Sequence, residues 1–307
     1  MQMSLDTAVR KPHTTPPVRV PRSRALEGFR KRSPWWWVGY ALLLVWSALV
    51  IFPIISMTLL GFRNTADIFA DPSGLTGSWN FGNFAEAWQG SVGNAGMGLY
   101  FINSAISETI AIVVTVGFGA IAAYALVRKG GGVRVWALRL FVGAYAVPLV
   151  VILIPVFSLL DTFGWLSNPA AIGVVYGALN LPVAVMVLHS TFLDFPVEII
   201  EASKLDGLGE VSTFARIVAP LNTGAFAAVS VLVLVFAWGE AQLGIVALAL
   251  PDSRTLAVGL LGFQGQYFSN QGVMFAGLAI ATLPVVAAYL ILQRFLVQGI
   301  ALGGSGK

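Results

Sequence analysis

Two carboxylic acids interrupt long apolar stretches of this sequence, and they are the side chains best placed to do chemistry. Glu108 is the only charged residue between positions 99 and 127, and Glu240 directly follows the uncharged run 217–239. Ionisable groups at membrane depth are costly and are functional candidates by default. Trp238 lies beside Glu240, so this pair could line a substrate path or could be satisfied structurally. Glu108 could line a pore, or it could be a structural carboxyl near Asn103 and Ser104.

Two further polar residues lie in the apolar run 162–193. Asn180 precedes Leu181–Pro182, and a proline inside a helix predicts a kink because it has no N–H to donate. Asn180 could satisfy the carbonyls that are freed there, or it could face a cavity. His189 is expected to be a packed or interfacial histidine. With 0 Cys and 2 His in the chain, no thiolate or multi-histidine metal site is expected.

The composition shows which elements must position these residues. The chain has 307 residues, of which 57% are hydrophobic and only 10% charged, and its mean hydropathy is +0.81. An ordinary soluble domain carries about 25% charged residues. Lipid must therefore be the solvent for much of this chain, which excludes a soluble enzyme, a nucleic-acid-binding protein and a disordered scaffold.

The apolar runs predict an all-α polytopic membrane protein with six transmembrane helices. A helix needs about 20 apolar residues to span a bilayer, and only helices or closed barrels can span one. The polar stretch 264–271 divides the last long run and leaves 272–293 for the final helix. The six predicted spans lie within residues 35–62, 99–127, 140–160, 162–193, 217–239 and 272–293.

The basic residues predict the orientation. If both termini are cytoplasmic, all but two of the 18 Lys and Arg lie on the inner side, and the exceptions are Arg63 and Arg254. This distribution agrees with the positive-inside rule. Residues 1–34 are rich in arginine, lysine and proline, which is typical of a disordered basic arm. The arm is interpreted as a topology determinant or a partner site, and not as a secretory signal.

The predicted organisation has five parts. A basic tail at 1–34 is followed by the first transmembrane helix at 35–62 and by an outer loop at 63–98. That loop carries tryptophan and phenylalanine among glycine and asparagine, and it could receive an external partner or cap the bundle. A membrane core at 99–297 and a cytoplasmic C-terminal tail at 298–307 complete the chain.

The inner loop 194–220 has clear helix punctuation. Asp194 and Pro196 are start signals, and acidic residues follow in the first turns. Gly207 can adopt the left-handed conformation that ends a helix. The pattern predicts a short exposed helix, a tight turn at Gly207 and a second helical segment that re-enters the membrane near Pro220.

This loop resembles the EAA loop of ABC importer permeases. The family pattern reads Glu-Ala-Ala, three residues, Gly, nine residues, Ile, one residue, Leu-Pro, and the spacing here matches throughout. Three residues depart from it, namely Ser203, Leu208 and Ala219. The matching or equivalent positions, to which the resemblance assigns coupling to an ATPase, are Glu201, Ala202, Ser203, Asp206, Gly207, Ile217 and Pro220.

Three more segments are similar to carbohydrate importer permeases of the maltose second-permease class. They are 101–104, 236–240 and 294–304. The resemblance implies a type I ABC importer permease in a bacterial cell membrane that conducts a sugar or related polyol. It implies three protein partners: a homologous second permease, a cytoplasmic ATPase dimer and an external solute-binding protein. The candidate substrate-path residues are Trp238, Glu240, Asn180 and Glu108.

No cofactor is expected on this chain, because the phosphate-binding pattern G-x-x-x-x-G-K-[ST] is absent from the sequence. ATP and Mg²⁺ would therefore belong to the partner ATPase, and membrane lipid is the remaining expected contact. A secondary transporter driven through Glu108 or Glu240 is the main alternative, but it would need paired discontinuous helices in two halves. A membrane enzyme would need clustered acids or histidines at one face, and nothing in the sequence resembles a channel filter.

Overall fold

The computed structural model describes the backbone of residues 34–90, 95–266 and 270–303, and the side chains of residues 36–90, 95–262 and 270–291. Within these ranges the secondary structure is helical apart from an antiparallel bridge between Arg63 and Trp79. The predicted all-α class is thus confirmed. The predicted tail at 1–34, except Pro34, and residues 304–307 lie outside the described residues.

The helices follow one another with short connections. In chain order they are α1 (Pro34–Leu60), α2 (Thr65–Ala70), α3 (Gly82–Gln89), α4 (Met97–Lys129), α5 (Gly131–Tyr145), α6 (Leu149–Thr162), α7 (Pro169–Leu193), α8 (Val197–Leu205), α9 (Glu210–Thr213), a π-helical turn (Phe214–Val218), α10 (Ala219–Leu221), α11 (Thr223–Gly239), α12 (Gln242–Ala247), a 3-10 turn (Pro251–Ser253), α13 (Leu256–Gln266) and α14 (Gln271–Gly303).

Four described helices are long and apolar enough to cross a membrane: Trp36–Leu60, Met97–Lys129, Pro169–Leu193 and Gln271–Ile291. Two bent helix pairs also meet the length and hydropathy requirement together. They are α5 with α6, bent by 94°, and the segment Glu210–Leu221 with α11, bent by 77°. The structure therefore holds six spans if each bent pair counts as one.

The third and fifth predicted spans are not the single straight helices that their hydropathy suggested. The apolar run 140–160 breaks between Tyr145 and Leu149. Pro148 cannot donate an N–H, and a residue before proline is pushed out of the helical region. The run 217–239 likewise bends near Asn222, shortly after Pro220. Mean hydropathy predicts whether a segment lies in lipid or in water, but it does not predict where a helix breaks.

The chain divides into two compact units, Met1–Ile51 and Phe52–Lys307. In the first unit the described residues belong to α1, and their large apolar side chains are exposed. In the second unit α5 and α6 also expose large apolar side chains such as Trp136 and Ile154. Exposed apolar surface on this scale indicates contact with lipid or with another protein.

Close packing of α4 on α7 forms the centre of the second unit. Three glycines lie where a side chain would meet the facing helix. A Cβ on Gly119 would come within 2.8 Å of the Ala184 Cβ, and one on Gly173 within 2.5 Å of the Ser107 carbonyl oxygen. Gly177 approaches Val114 in the same way, and its carbonyl accepts a hydrogen bond from Thr115. Small residues at helix contacts are the usual means of close association in membranes.

The outer segment before α3 is organised around one buried arginine. Arg63 is 2% exposed, and its guanidinium donates to the carbonyls of Gly74, Leu75 and Gly77. It also lies 4.2 Å from the ring centre of Trp79. In the same segment, hydrogen bonds from Ser73 and Thr76 hold the pKa of Asp71 below its usual range. Arg63, one of the two basic residues that the charge count assigns to the outer side, thus has a structural role.

The α4–α7 contact gives a testable pair of substitutions. We expect Gly119→Leu to lower the thermal unfolding midpoint of the detergent-purified protein, because the added side chain overlaps Ala184. Overpacking of this kind costs about 1–3 kcal/mol. Gly117→Leu is the matched control, since a Cβ there meets nothing within 4 Å. Equal midpoints for the two variants would contradict the packing assigned to α4 and α7.

Candidate functional site

The inner loop between α7 and α11 has the conformation that its sequence predicts. Helix α8 begins after Pro196 and ends at Leu205, with Glu198 in its first turn and Lys204 in its last. Gly207 follows with φ of +82°, in the left-handed region that favours glycine. The chain then turns into α9 at Glu210. The predicted helix, the turn and a second helical segment that leads towards α11 are therefore all present.

The two helical parts of this loop are joined by hydroxyl groups. Ser203 is buried, and its Oγ donates to the Ile200 carbonyl and lies 3.0 Å from the Thr213 Oγ1. The serine that departs from the family pattern therefore ties α8 to α9. Glu201, Ala202 and Asp206 face outward.

Two large apolar side chains on the loop are also turned outward. Leu205 is 89% exposed and Val211 is 82% exposed. They lie on either side of the Gly207 turn. The loop thus exposes two apolar side chains together with carboxylates.

The re-entrant segment contains a π-helical turn. Ile217 lies half-buried within this turn, Phe214–Val218, and Pro220 lies exposed just after it in α10. Proline cannot donate to the carbonyl of Arg216, so regular α-helical bonding is interrupted here. The Asn222 side chain donates to the Val218 carbonyl at 2.7 Å. These residues form the joint between the loop and α11.

Glu210 connects the loop to the inner end of α4. Arg128 donates two hydrogen bonds to its carboxylate, from Nη2 to Oε1 at 2.7 Å and from Nε to Oε2 at 2.9 Å. The Tyr124 hydroxyl donates to Oε2 at 3.0 Å, and the Lys204 Nζ lies 3.3 Å from Oε1. Sequence reasoning missed these contacts, although an acid in the loop and bases at the end of a preceding inner span were visible.

Glu240 lies in a buried polar cluster that joins α7 to α12. The Tyr176 hydroxyl donates to its Oε2 at 2.7 Å, and the backbone N–H of Leu243 donates to Oε1 at 2.9 Å. The N–H of Gly244 adds a longer bond of 3.3 Å to Oε2. Both carboxylate oxygens thus have donors inside the chain. Tyr176 is fully buried and was not singled out in the sequence, where nothing distinguishes it from other aromatic residues.

Trp238 and Asn180 also make polar contacts within the chain. The Trp238 indole N–H donates to the Ala281 carbonyl on α14 at 3.0 Å, and its ring meets Phe101 edge to face. The Asn180 side chain donates to the Tyr176 carbonyl at 2.8 Å, one turn earlier on α7. Helix α7 continues through Pro182. Trp238 and Glu240, two positions apart in sequence, therefore hold different helices.

Glu108 is a buried acid that was expected either to line a pore or to be a structural carboxyl near Asn103 and Ser104. It is 5% exposed, and its Oε1 has no hydrogen-bond partner among the described residues. The neighbouring polar residues bind elsewhere. Asn103 donates to the carbonyls of Asp252 and Arg254, and Ser104 accepts from the N–H of Leu256. They fasten the segment before α13 to the outer part of α4.

A metal site is not indicated by the side chains that the structure describes. Within the described ranges no group of three or more His, Cys, Asp or Glu could hold a metal ion. The buried His189 lies in α7, and its Nε2 has no hydrogen-bond partner among the residues that the structure describes. The site therefore consists of an exposed inner loop and a set of buried polar contacts between helices.

Comparison with known families identifies this arrangement. Residues 115–302 match the family described as "Binding-protein-dependent transport system inner membrane component". The chain belongs to this family. It is therefore an inner-membrane permease subunit of an ABC importer and not an enzyme, and the matched region contains the inner loop and the whole buried polar cluster around Glu240.

Individual relatives agree with the family. The permease is 30% identical over 275 residues to the "Probable ABC transporter permease protein YurM" of Bacillus subtilis, covering 87% of this chain and 89% of that protein. It is 28% identical over 268 residues to the "Diacetylchitobiose uptake system permease protein NgcG" of Streptomyces coelicolor, covering 87% of each.

A solved structure supports the fold of the permease. It is a chain of a bacterial ABC transporter involved in the import of the acidic polysaccharide alginate. The TM-score is 0.69 at 19% sequence identity, and the match covers 84% of this chain and 94% of the other. The predicted type I ABC importer permease fold is thereby confirmed.

The bonds to Glu240 can be tested by removing a donor in one variant and by changing the acceptor in another. We expect Tyr176→Phe to destabilise the permease by about 0.5–1.5 kcal/mol, because one hydrogen bond to the carboxylate is lost. Glu240→Gln should cost more, about 1–3 kcal/mol, because its amide nitrogen must face a donor. Thermal unfolding in detergent measures both changes. Tyr145→Phe, on the exposed surface of α5, is the control. A Tyr176→Phe variant as stable as this control would show that the contact carries no stability.

Proposed function

We propose that this permease forms part of the translocation path for a carbohydrate, either a sugar of two or more units or a related polyol such as a glycerol phosphate. The observation that carries the proposal is the inner loop, a short exposed helix ended at Gly207, in a chain of the importer family. The carbohydrate class is supported by the sugar named for the relative NgcG. ATP hydrolysis on a separate subunit would drive transport.

The importer that we propose has three kinds of partner. A homologous second permease forms a heterodimer with this chain, a cytoplasmic ATPase dimer holds ATP and Mg²⁺, and an external solute-binding protein delivers the substrate. The apolar faces of α5 and α6 are exposed in the single chain, which supports contact with lipid or the second permease. Both termini are cytoplasmic in this proposal, on the strength of the Lys and Arg distribution.

In this proposal the inner loop docks on the ATPase. Glu201, Ala202 and Asp206 face outward beside the apolar Leu205, so the loop offers a small, mixed surface. Ala202 would allow close approach of the partner, and the carboxylates could pair with its basic groups. Ser203, Gly207, Ile217 and Pro220 would keep the loop in shape and join it to α11.

The substrate path is proposed to run beside α4, α7 and α11 within the core 99–297. Trp238 and Glu240 would shape the path by tying the end of α11 to α14 and α7 through their bonds to Ala281 and Tyr176. Asn180 would support α7 through its bond to the Tyr176 carbonyl. Glu108 is proposed to border the path from α4. The basic tail 1–34, the first helix 35–62, the outer loop 63–98 and the tail 298–307 would lie outside this core.

Loss of the Gly207 turn should weaken the ATPase contact. We expect Gly207→Val to reduce copurification of the ATPase and the ATP hydrolysis of the assembled importer. A β-carbon at positive φ costs roughly 1 kcal/mol or more, and the cost is purely conformational because the added Cβ would meet no other atom within 4 Å. Ala202→Asp should have a similar effect by placing a desolvated charge in the contact.

Gly209→Val provides the matched control for the Gly207 variant. Gly209 lies two residues away with φ of −76°, and a Cβ there also meets nothing within 4 Å. Valine is therefore tolerated at position 209 but strained at position 207. If ATPase copurification is the same in all three variants and in the unaltered permease, the loop is a solvated connector and not a docking element.

The orientation can be tested with single cysteines, because the chain has 0 Cys of its own. A membrane-impermeant thiol reagent added to intact cells should label a cysteine at position 75 or 252, both of which are exposed. Cysteines at positions 20 and 305 should be labelled only after the cells are opened. Labelling of the two terminal positions in intact cells would reverse the proposed topology.

A further inference from the structure

The contact between Glu210 and α4 has a geometry that ordinary surface ion pairs lack. Arg128 holds both carboxylate oxygens at once, with N···O distances of 2.7 and 2.9 Å. Such two-point pairing fixes the direction of both side chains, which a single lysine contact does not. Tyr124 and Lys204 approach the same carboxylate. One side chain therefore joins the ends of α4, α8 and α9.

Stability is not the only consequence of this arrangement. The side chains of Arg128 and Glu210 are 28% and 49% exposed. Most exposed ion pairs add little to folding, and a two-point arginine–carboxylate pair is the kind that adds a measurable amount. The loop is already held in shape by the Ser203–Thr213 contact and by the Gly207 turn. What the ion pair adds is a rigid connection from the loop to a helix that is distant in sequence.

The chain itself provides no such connection. The loop follows α7 and precedes α11 directly, so the backbone transmits its movement to those two helices. Helix α4 ends at Lys129, long before the loop begins. Besides the Glu210 contacts, α4 meets the loop segment through aromatic packing, in which the rings of Tyr124 and Phe214 lie 5.0 Å apart. Aromatic rings can slide past one another, whereas a two-point ion pair resists both sliding and rotation.

We propose that Glu210 is a positioning residue that transmits movement of the inner loop to α4 through its pairing with Arg128. The inference rests on the proposed contact between the loop and the ATPase. It adds a second route, by side chains, to the covalent route through α7 and α11.

The test uses the complete importer, with its second permease and ATPase, reconstituted in lipid nanodiscs. Single cysteines at position 197, in the first turn of α8, and at position 106, on the exposed face of α4, are labelled with bimane. The change in bimane emission on adding MgATP and vanadate is then measured at each position. It is compared between the otherwise unaltered permease and the variants Glu210→Gln, Arg128→Gln and Arg128→Glu/Glu210→Arg.

If Glu210 transmits the movement, Glu210→Gln and Arg128→Gln keep the nucleotide response at position 197, and the response at position 106 falls about fivefold. The reversed pair should restore at least about half of the lost response, because the attraction is regained with its sign exchanged. Glu86→Gln, an exposed acid on α3, is the control for loss of a charge and should leave both responses unchanged.

Two results would overturn the inference. One is a full response at position 106 in Glu210→Gln, which would mean that α4 is moved by other contacts. The other is failure of the reversed pair to restore the response, which would assign the effect of the single variants to local distortion. Absence of a nucleotide response at position 197 with native Glu210 and Arg128 is a different outcome. It would refute the docking of the loop on the ATPase, and this inference with it.

Discussion

The close contact between α4 and α7 is the constraint on which the described part of the second unit depends. Gly119, Gly173 and Gly177 let the two backbones approach until side-chain atoms would overlap. In a bilayer, lipid tails are as apolar as leucine, so burial alone gives these helices little reason to associate. Shape complementarity and backbone contact must therefore hold them, and a single methyl group at the contact is enough to force a shift.

Polar side chains attach further segments of the chain to α4 and α7. Tyr176 extends from α7 to Glu240, whose carboxylate also receives the first N–H groups of α12. Asn103 and Ser104 on α4 bind the backbone before α13. Asn103 and Ser104 thus satisfy backbone groups of the irregular segment before α13, and Glu240 satisfies N–H groups in the first turn of α12. These two segments are attached to α4 and α7 respectively.

Local features of this fold could be predicted from the sequence, and contacts between distant residues could not. The helix from Val197, the turn at Gly207 and the second helical segment depend on residues a few positions apart, and the structure confirms them. The spans also follow from composition, because a bilayer demands about 20 apolar residues in a row. The bends in two spans were missed, since hydropathy averages over the few residues at which a helix breaks. Arg128 as partner of Glu210 and Tyr176 as partner of Glu240 were missed because they lie on helices more than 60 residues away.

The π-helical turn at Phe214–Val218 has a consequence for how the loop is aimed. A π-turn accommodates one residue more than an α-turn, and one residue of an α-helix corresponds to a rotation of about 100° and a rise of about 1.5 Å. The one extra residue of the π-turn therefore sets the direction in which the loop projects from the axis of the re-entrant segment. Converting that turn to α geometry would rotate Leu205 and its neighbours around the axis by about 100°. It would shift them along the axis by only about 1.5 Å.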